Sequence, residues 1–128
     1  MKVALLIAHS RVSPVFETTS NALFFNLIGN ECIESATYHF ITQDEQEMVN
    51  QLLNNHIELL ICGAIPYYLE KILTNQGCEV ISFIAGEKNE IMQALCLNQL
   101  DKSQFKMPGC HKRKQRKKNL FCQRSTAQ

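Results

Sequence analysis

The chain has 128 residues, 45% of them hydrophobic, one domain's worth of sequence with enough apolar side chains for a real core. Only 5 Gly and 3 Pro are present, which excludes a fibrous or low-complexity class. The formal net charge of +1 conceals an uneven split, because residues 1–106 carry 6 Lys+Arg against 12 Asp+Glu whereas residues 107–128 carry 7 basic residues and no acidic ones.

Val3 to Ala8 is a continuous apolar run and predicts a central strand buried on both faces. It is too short for an export signal and lacks a small-residue cleavage site. No stretch reaches the roughly 18 apolar residues of a membrane span, so the expected compartment is the cytoplasm. His9 to Pro14 reads as a polar loop. Ala22 to Ile28 and Glu34 to Ile41 predict two strands joined around Gly29-Asn30, a hairpin-type breaker. Ala36, Tyr38 and Phe40 alternate there with Thr37 and His39, as a sheet with one wetter face requires.

Thr42 followed by Glu45 reads as a capping box opening a helix, with Met48, Val49, Leu52 and Leu53 as its apolar stripe and Asn54-Asn55 at its end. Ile57 to Cys62 predicts a second buried strand. Pro66 suits the first position of the next helix, whose buried face would be Leu69, Ile72 and Leu73 and which Gly77 closes. Cys78 to Ile84 predicts a further strand, and Glu87 to Asn98 a third helix with Ile91, Met92 and Leu95 inward. Three parallel strands and an antiparallel hairpin follow from this order. They make an α/β domain over residues 1–106: a mixed five-stranded sheet flanked by helices, in the manner of the ribonuclease H-like three-layer architecture. Residues 107–128 form a separate basic tail.

In open α/β sheets ligands collect beyond the carboxyl ends of parallel strands. Three segments arrive there: His9 to Phe16, Cys62 to Pro66, and Ala85 to Glu87. His9 leaves the core at the end of the first strand, where imidazole can bind a metal, transfer a proton, or stand as a solvated loop side chain. Ser10, Arg11 and Ser13 beside it offer donors to an anion. Gly63-Ala64 and Gly86-Glu87 precede helices and either expose N–H groups to an anion or are plain tight turns. Cys62 is either a ligand at the mouth of the crevice or the last core residue of its strand. Cys32, Cys78 and Cys96 lie in apolar runs and read as small packed hydrophobes. Catalysis by the domain alone is not expected. The first strand carries no carboxylate for a two-metal site, and neither a nucleophile elbow nor a phosphate-binding glycine motif is present.

The tail clusters Lys112, Arg113, Lys114, Arg116, Lys117 and Lys118 between Cys110 and Cys122. Such a cluster can lie on nucleic acid, an acidic protein, an anionic membrane, an anionic metallocluster, or the acidic body of the same chain. Phe121 is its only stacking group, which makes nucleic-acid binding through the tail the alternative rather than the leading expectation.

Three stretches together match a known pattern: VALLIAHSRVSPVFETT, LLICGAIPYYLEKILTNQGCEVISFIAGEKNEIMQAL and FKMPGCHKRKQRKK. Through the step from Ser13 to Phe16, the Cys62-Gly63-Ala64 turn and the Met107-Pro108-Gly109-Cys110 start of the tail, the chain resembles the dinitrogenase iron–molybdenum cofactor biosynthesis family, the NifX/NifB-type domains. It departs in having Glu17 and Thr18 where members often carry Asp and Ala. The resemblance implies a ribonuclease H-like domain that binds, stores or passes on an iron–sulfur or iron–molybdenum cluster precursor without catalysing a reaction. Cluster donor and acceptor proteins are then its partners. It further implies that the His9 to Phe16 loop and the Cys62-Gly63 turn line the cluster pocket. The expected metal ligands are His9, Cys62 and Cys110, a few ligands suiting a cargo that must be released.

Overall fold

Strand β1, Lys2–Ala8, is buried from Val3 to Ile7, and the whole sheet is built outward from it. The computed structural model describes residues 1–41, 44–97 and 105. Strands β3 (Asn21–Ile28) and β4 (Glu31–His39) form the expected hairpin, with Gly29 in the left-handed region at φ 62°. Short strands β5 (Leu59–Ile61) and β6 (Glu79–Ile81) lie on the other side of β1 and run parallel to it. The order β4-β3-β1-β5-β6 is the mixed five-stranded sheet expected, with the hairpin antiparallel and the rest parallel.

One strand was not anticipated. Arg11–Val12 forms β2, which folds straight back on β1 with Ile7 opposite Val12 and Ala8 opposite Arg11. The polar loop expected over residues 9–14 is therefore a tight hairpin followed by a turn. Its two linking residues are His9 and Ser10, and His9 takes the left-handed backbone conformation at φ 59°. The first position of such a turn ordinarily calls for glycine, so a histidine there holds strain.

Helices α1 (Glu45–Asn54) and α2 (Tyr67–Asn75) cover one face of the sheet, and α3 (Lys88–Cys96) covers the other. The first core joins Ala4, Leu6, Phe24 and Leu60 of the sheet to Met48 and Leu52 of α1 and Leu69 and Leu73 of α2. The second joins Val3, Leu5, Leu23 and Phe25 to Ile91, Ala94 and Leu95 of α3. Alternation along β1 sends successive residues to opposite cores, the expected consequence of a strand with helices on both sides. The result is a three-layer α/β domain.

Three local expectations need correction. The cap of α1 is Asp44, whose side chain accepts from the backbone N–H of Gln46 at 3.1 Å. Thr42, expected as the cap, lies outside the described residues. Pro66 stands just before α2 rather than inside it, its carbonyl accepting from Leu69 and Glu70. On α2 the buried stripe is Leu69, Glu70 and Leu73, while Ile72 is exposed.

The largest correction concerns the cysteines. Cys32 at the start of β4 and Cys96 at the end of α3 are joined in a disulfide, their Cα atoms 6.4 Å apart. They are 64 residues apart in sequence, and only the antiparallel run of α3 over β4 brings them together. This bond ties the end of α3 remote from the carboxyl end of β1. Cys62 and Cys78 are both buried in the first core.

Candidate functional site

The carboxyl end of β1 is where the sequence reading placed the chemistry, and the chain there is held almost wholly by main-chain bonds. Ser13 donates its N–H to Leu6 O at 2.9 Å, and Val12 donates to Gly86 O at 2.9 Å. Val15 bridges Ala64, with Ala64 N–H donating to Pro14 O at 2.8 Å and Phe16 N–H donating to Ala64 O at 2.9 Å. Phe83 N–H donates to Gly63 O at 2.8 Å, and Lys88 N–H, the first of α3, donates to Ser10 O at 2.8 Å. The three expected segments thus meet. They meet as a stitched platform, with the Ala64 and Lys88 N–H groups already used rather than offered to an anion.

Gly63 makes that stitching possible. A Cβ built on it would stand 2.5 Å from both Ser13 O and Pro14 O, so only glycine lets the two loops approach. Phe16, fully buried in the first core, pins the same loop from below. Its neighbours Ser13 and Thr19 are buried too, their hydroxyls 2.8 Å apart and each within reach of Val15 O.

The expected site residues therefore divide. His9, Ser10 and Arg11 are exposed on the β1–β2 hairpin. Ser13 is 3% exposed, and its hydroxyl is bonded within the loop to Val15 O. Gly63 and Ala64 are the floor to which the loop is bonded. Cys62 is 0% exposed and packs in the first core. Cys110 lies outside the described residues, as does the rest of the basic tail. Among the described residues no three side chains of His, Cys, Asp or Glu converge to hold a metal ion. Nor, among them, is any helix long and apolar enough to cross a membrane.

Two openings flank the hairpin, and Ala8 lines both. A crevice of about 300 Å³ is lined by Arg11, Val12, Pro14, Ile84, Ala85 and Gly86, at the carboxyl ends of the parallel strands where the sheet order reverses. A wider cleft of about 480 Å³ on the α3 side is lined by His9, Thr18, Thr19, Ser20, Asn21, Thr37, His39 and Lys88 as well as Ile7. His39 and Lys88 were missed as site residues. The alternation of Thr37 and His39 with Tyr38 and Phe40 did put His39 on the wetter face of its strand. Its meeting with His9 depends on the register that sets Ile7 against Asn21 and Asn21 against His39.

Among the described residues the Cys78 thiol is clearly shifted. Burial, aided by the neighbouring Glu79 carboxylate, pushes the Cys78 thiol up from 9.0 to about 12. The protonated form is the one the fold favours. Its contribution is complete below pH 9.0 and is lost as pH climbs from there toward about 12, because the unfolded thiol ionises first. Chemical denaturation at about pH 8 and about pH 10.5 should show a loss of stability at the higher pH. Cys78→Ala, though less stable at both, should show a smaller loss; an identical loss in the variant would contradict the assignment.

No family model matches the sequence, and no curated protein matches it. Solved structures do share its fold. The crystal structure of PH0822 superposes with a TM-score of 0.75 at 13% identity, over 85% of this chain and 96% of that one. A candidate dinitrogenase from Methanocaldococcus jannaschii has a TM-score of 0.61 at 20% identity, over 77% of this chain and 90% of its own. A candidate NifB protein from Thermotoga, of the DUF35 family, has a TM-score of 0.54 at 20% identity, over 77% and 89%. At these identities the likeness establishes a common fold.

Proposed function

We propose that this domain binds, stores or passes on an anionic iron–sulfur or iron–molybdenum cluster precursor during metallocofactor assembly, without catalysing a reaction of its own. The observation that carries the reading is the β1–β2 hairpin. It presents His9 and Arg11, both exposed, at the carboxyl end of β1, with Arg11 lining the crevice and His9 the wider cleft beside it. The shared fold with structures named as a candidate dinitrogenase and a candidate NifB protein supports the choice of cargo.

The chemistry of the donor set fits a cargo better than a permanent metal centre. A structural site saturates its metal with protein ligands, whereas a carrier must let go. Here an imidazole would ligate, the Arg11 guanidinium would offset the negative charge of the cluster, and Cys110 of the tail would add a thiolate that can move with the cargo. Cys62, buried beneath the loop, would serve the platform rather than the cluster. The cluster donor and acceptor proteins would be the partners.

His9→Gly removes the imidazole and relieves the strained backbone at once, so it tests ligation without unfolding the hairpin. This variant and Arg11→Ala should each lower cluster affinity about tenfold, the worth of one lost contact of about 1.4 kcal/mol. Iron retained after gel filtration under anaerobic conditions measures this. Retention equal to the unaltered protein in both variants would sink the assignment.

A further inference from the structure

The wider cleft has its own chemistry. Thr18 and Thr19 turn their hydroxyls back onto Val15 and Ser13, which leaves Ser20, Asn21, Thr37, His39 and Lys88, beside His9, to face an occupant. Among the described residues the lining contains no carboxylate. The cleft is therefore rich in N–H and O–H donors. These arrive from the end of β1, the end of β4 and the start of α3, whose positive end adds to the Lys88 ammonium. A lysine in such a lining opposes a bound cation even where two imidazoles stand nearby.

The lining also holds one buried acceptor without a partner. The side-chain carbonyl oxygen of Asn21 is buried and has no hydrogen-bond partner. A buried acceptor left in this state is costly, and it implies that an occupant brings a hydroxyl of its own.

We propose that this cleft is a phosphate-binding site whose phosphate contacts leave out His9, the cargo ligand proposed above, which stands on the hairpin that separates the cleft from the crevice. Lys88, His39, Thr37 and Ser20 donate to the phosphate oxygens. Donors on three elements suit a tetrahedral dianion better than a planar carboxylate. Asn21 accepts from the hydroxyl of a monoprotonated phosphate or from a hydroxyl on the body of a phosphate monoester. At about 480 Å³ the opening has room for either orthophosphate or a small phosphorylated molecule.

The test is titration of the full-length protein with orthophosphate and, separately, with adenosine monophosphate, followed by amide and imidazole NMR shifts. Saturable shifts at His39 and the first turn of α3 are expected, weakened about tenfold or more in Lys88→Met and in His39→Gln. Lys71→Met, an exposed lysine of α2, should leave them unchanged. Saturation by both probes identifies the phosphate group as what is recognised, and clearly tighter binding of the nucleotide identifies a monoester. No saturable shift with either probe overturns the proposal, as does binding that survives in both cleft variants. His9→Gly, which keeps Lys88 and His39, should retain the phosphate shifts while it lowers cluster retention, so failure here and failure of the cluster reading are separable.

Discussion

Gly63→Ala is expected to destabilise the domain by about 3–5 kcal/mol, with a matching fall in the urea midpoint. The new methyl would stand 2.5 Å from Ser13 O and Pro14 O and 2.8 Å from the Pro14 carbonyl carbon, all main-chain atoms that cannot swing aside as a side-chain tip can. Overpacking of this kind costs about 1–3 kcal/mol. Separation of the loops would also break the bonds between Ala64 N–H and Pro14 O and between Phe16 N–H and Ala64 O, each worth about 1 kcal/mol. Gly29→Ala is the fitting comparison. It places a methyl where no atom lies within 4 Å and bears only the cost of its positive φ, roughly 1 kcal/mol. If the two variants proved equally stable, the close approach of the loops would not exist in solution.

Phe16→Ala should cost a similar amount, about 3–5 kcal/mol, the usual range for emptying a buried phenyl site. Phe16 is fully buried among Leu6, Ala22, Met48 and their neighbours, though it belongs to a single turn of 3-10 helix between strands and to no long element. Its ring anchors the loop whose other end carries His9 and Arg11. Phe16→Leu fills most of the space and should cost less than about 1.5 kcal/mol. Equilibrium unfolding distinguishes them, and a Phe16→Ala protein as stable as Phe16→Leu would place the ring at the surface. The alanine variant should also show faster amide exchange at Val12 and Ser13, the main-chain donors beside the crevice.

The parts of the fold legible in sequence were those with a strong period. The apolar run of β1 and the stripes Met48, Val49, Leu52 and Ile91, Leu95 marked elements whose burial follows from spacing alone. The Gly29-Asn30 breaker marked the hairpin turn. Features that depend on two distant segments were hidden. Nothing near Cys32 announces Cys96, because their approach comes from the direction in which α3 crosses β4. Arg11–Val12 is only two residues long, too short for any alternation to mark it as a strand. Ser13 looked like a ligand donor because it is polar and lies in a loop. Its burial follows from the bonding of that loop to Ala64 and Leu6, which only the tertiary structure shows.

The position of the candidate residues in the fold was legible to a similar depth. His9 and Arg11 stand on the hairpin at the carboxyl end of β1, where the general rule for α/β sheets put them. The rule did not show that the turn is tight enough to divide that end into two openings. Consequently the candidate residues fell on both sides: Arg11 toward the crevice that ends in Gly86, His9 toward the cleft shared with His39 and Lys88. Cys62, the alternative ligand, lies in the interior because alternation along β5 sets it with Leu60 toward the first core, while Leu59 and Ile61 face the second.

The central claim is that this platform holds an anionic metallocluster, and the direct test is anaerobic reconstitution of the full-length protein. Iron and sulfide are offered in one arm and a molybdenum–sulfur species in the other, followed by desalting and metal analysis. The account predicts stoichiometric metal in at least one arm, with sulfur-to-iron charge-transfer absorption in the first, and reduced metal in His9→Gly. A protein that emerges from both arms without metal would contradict it.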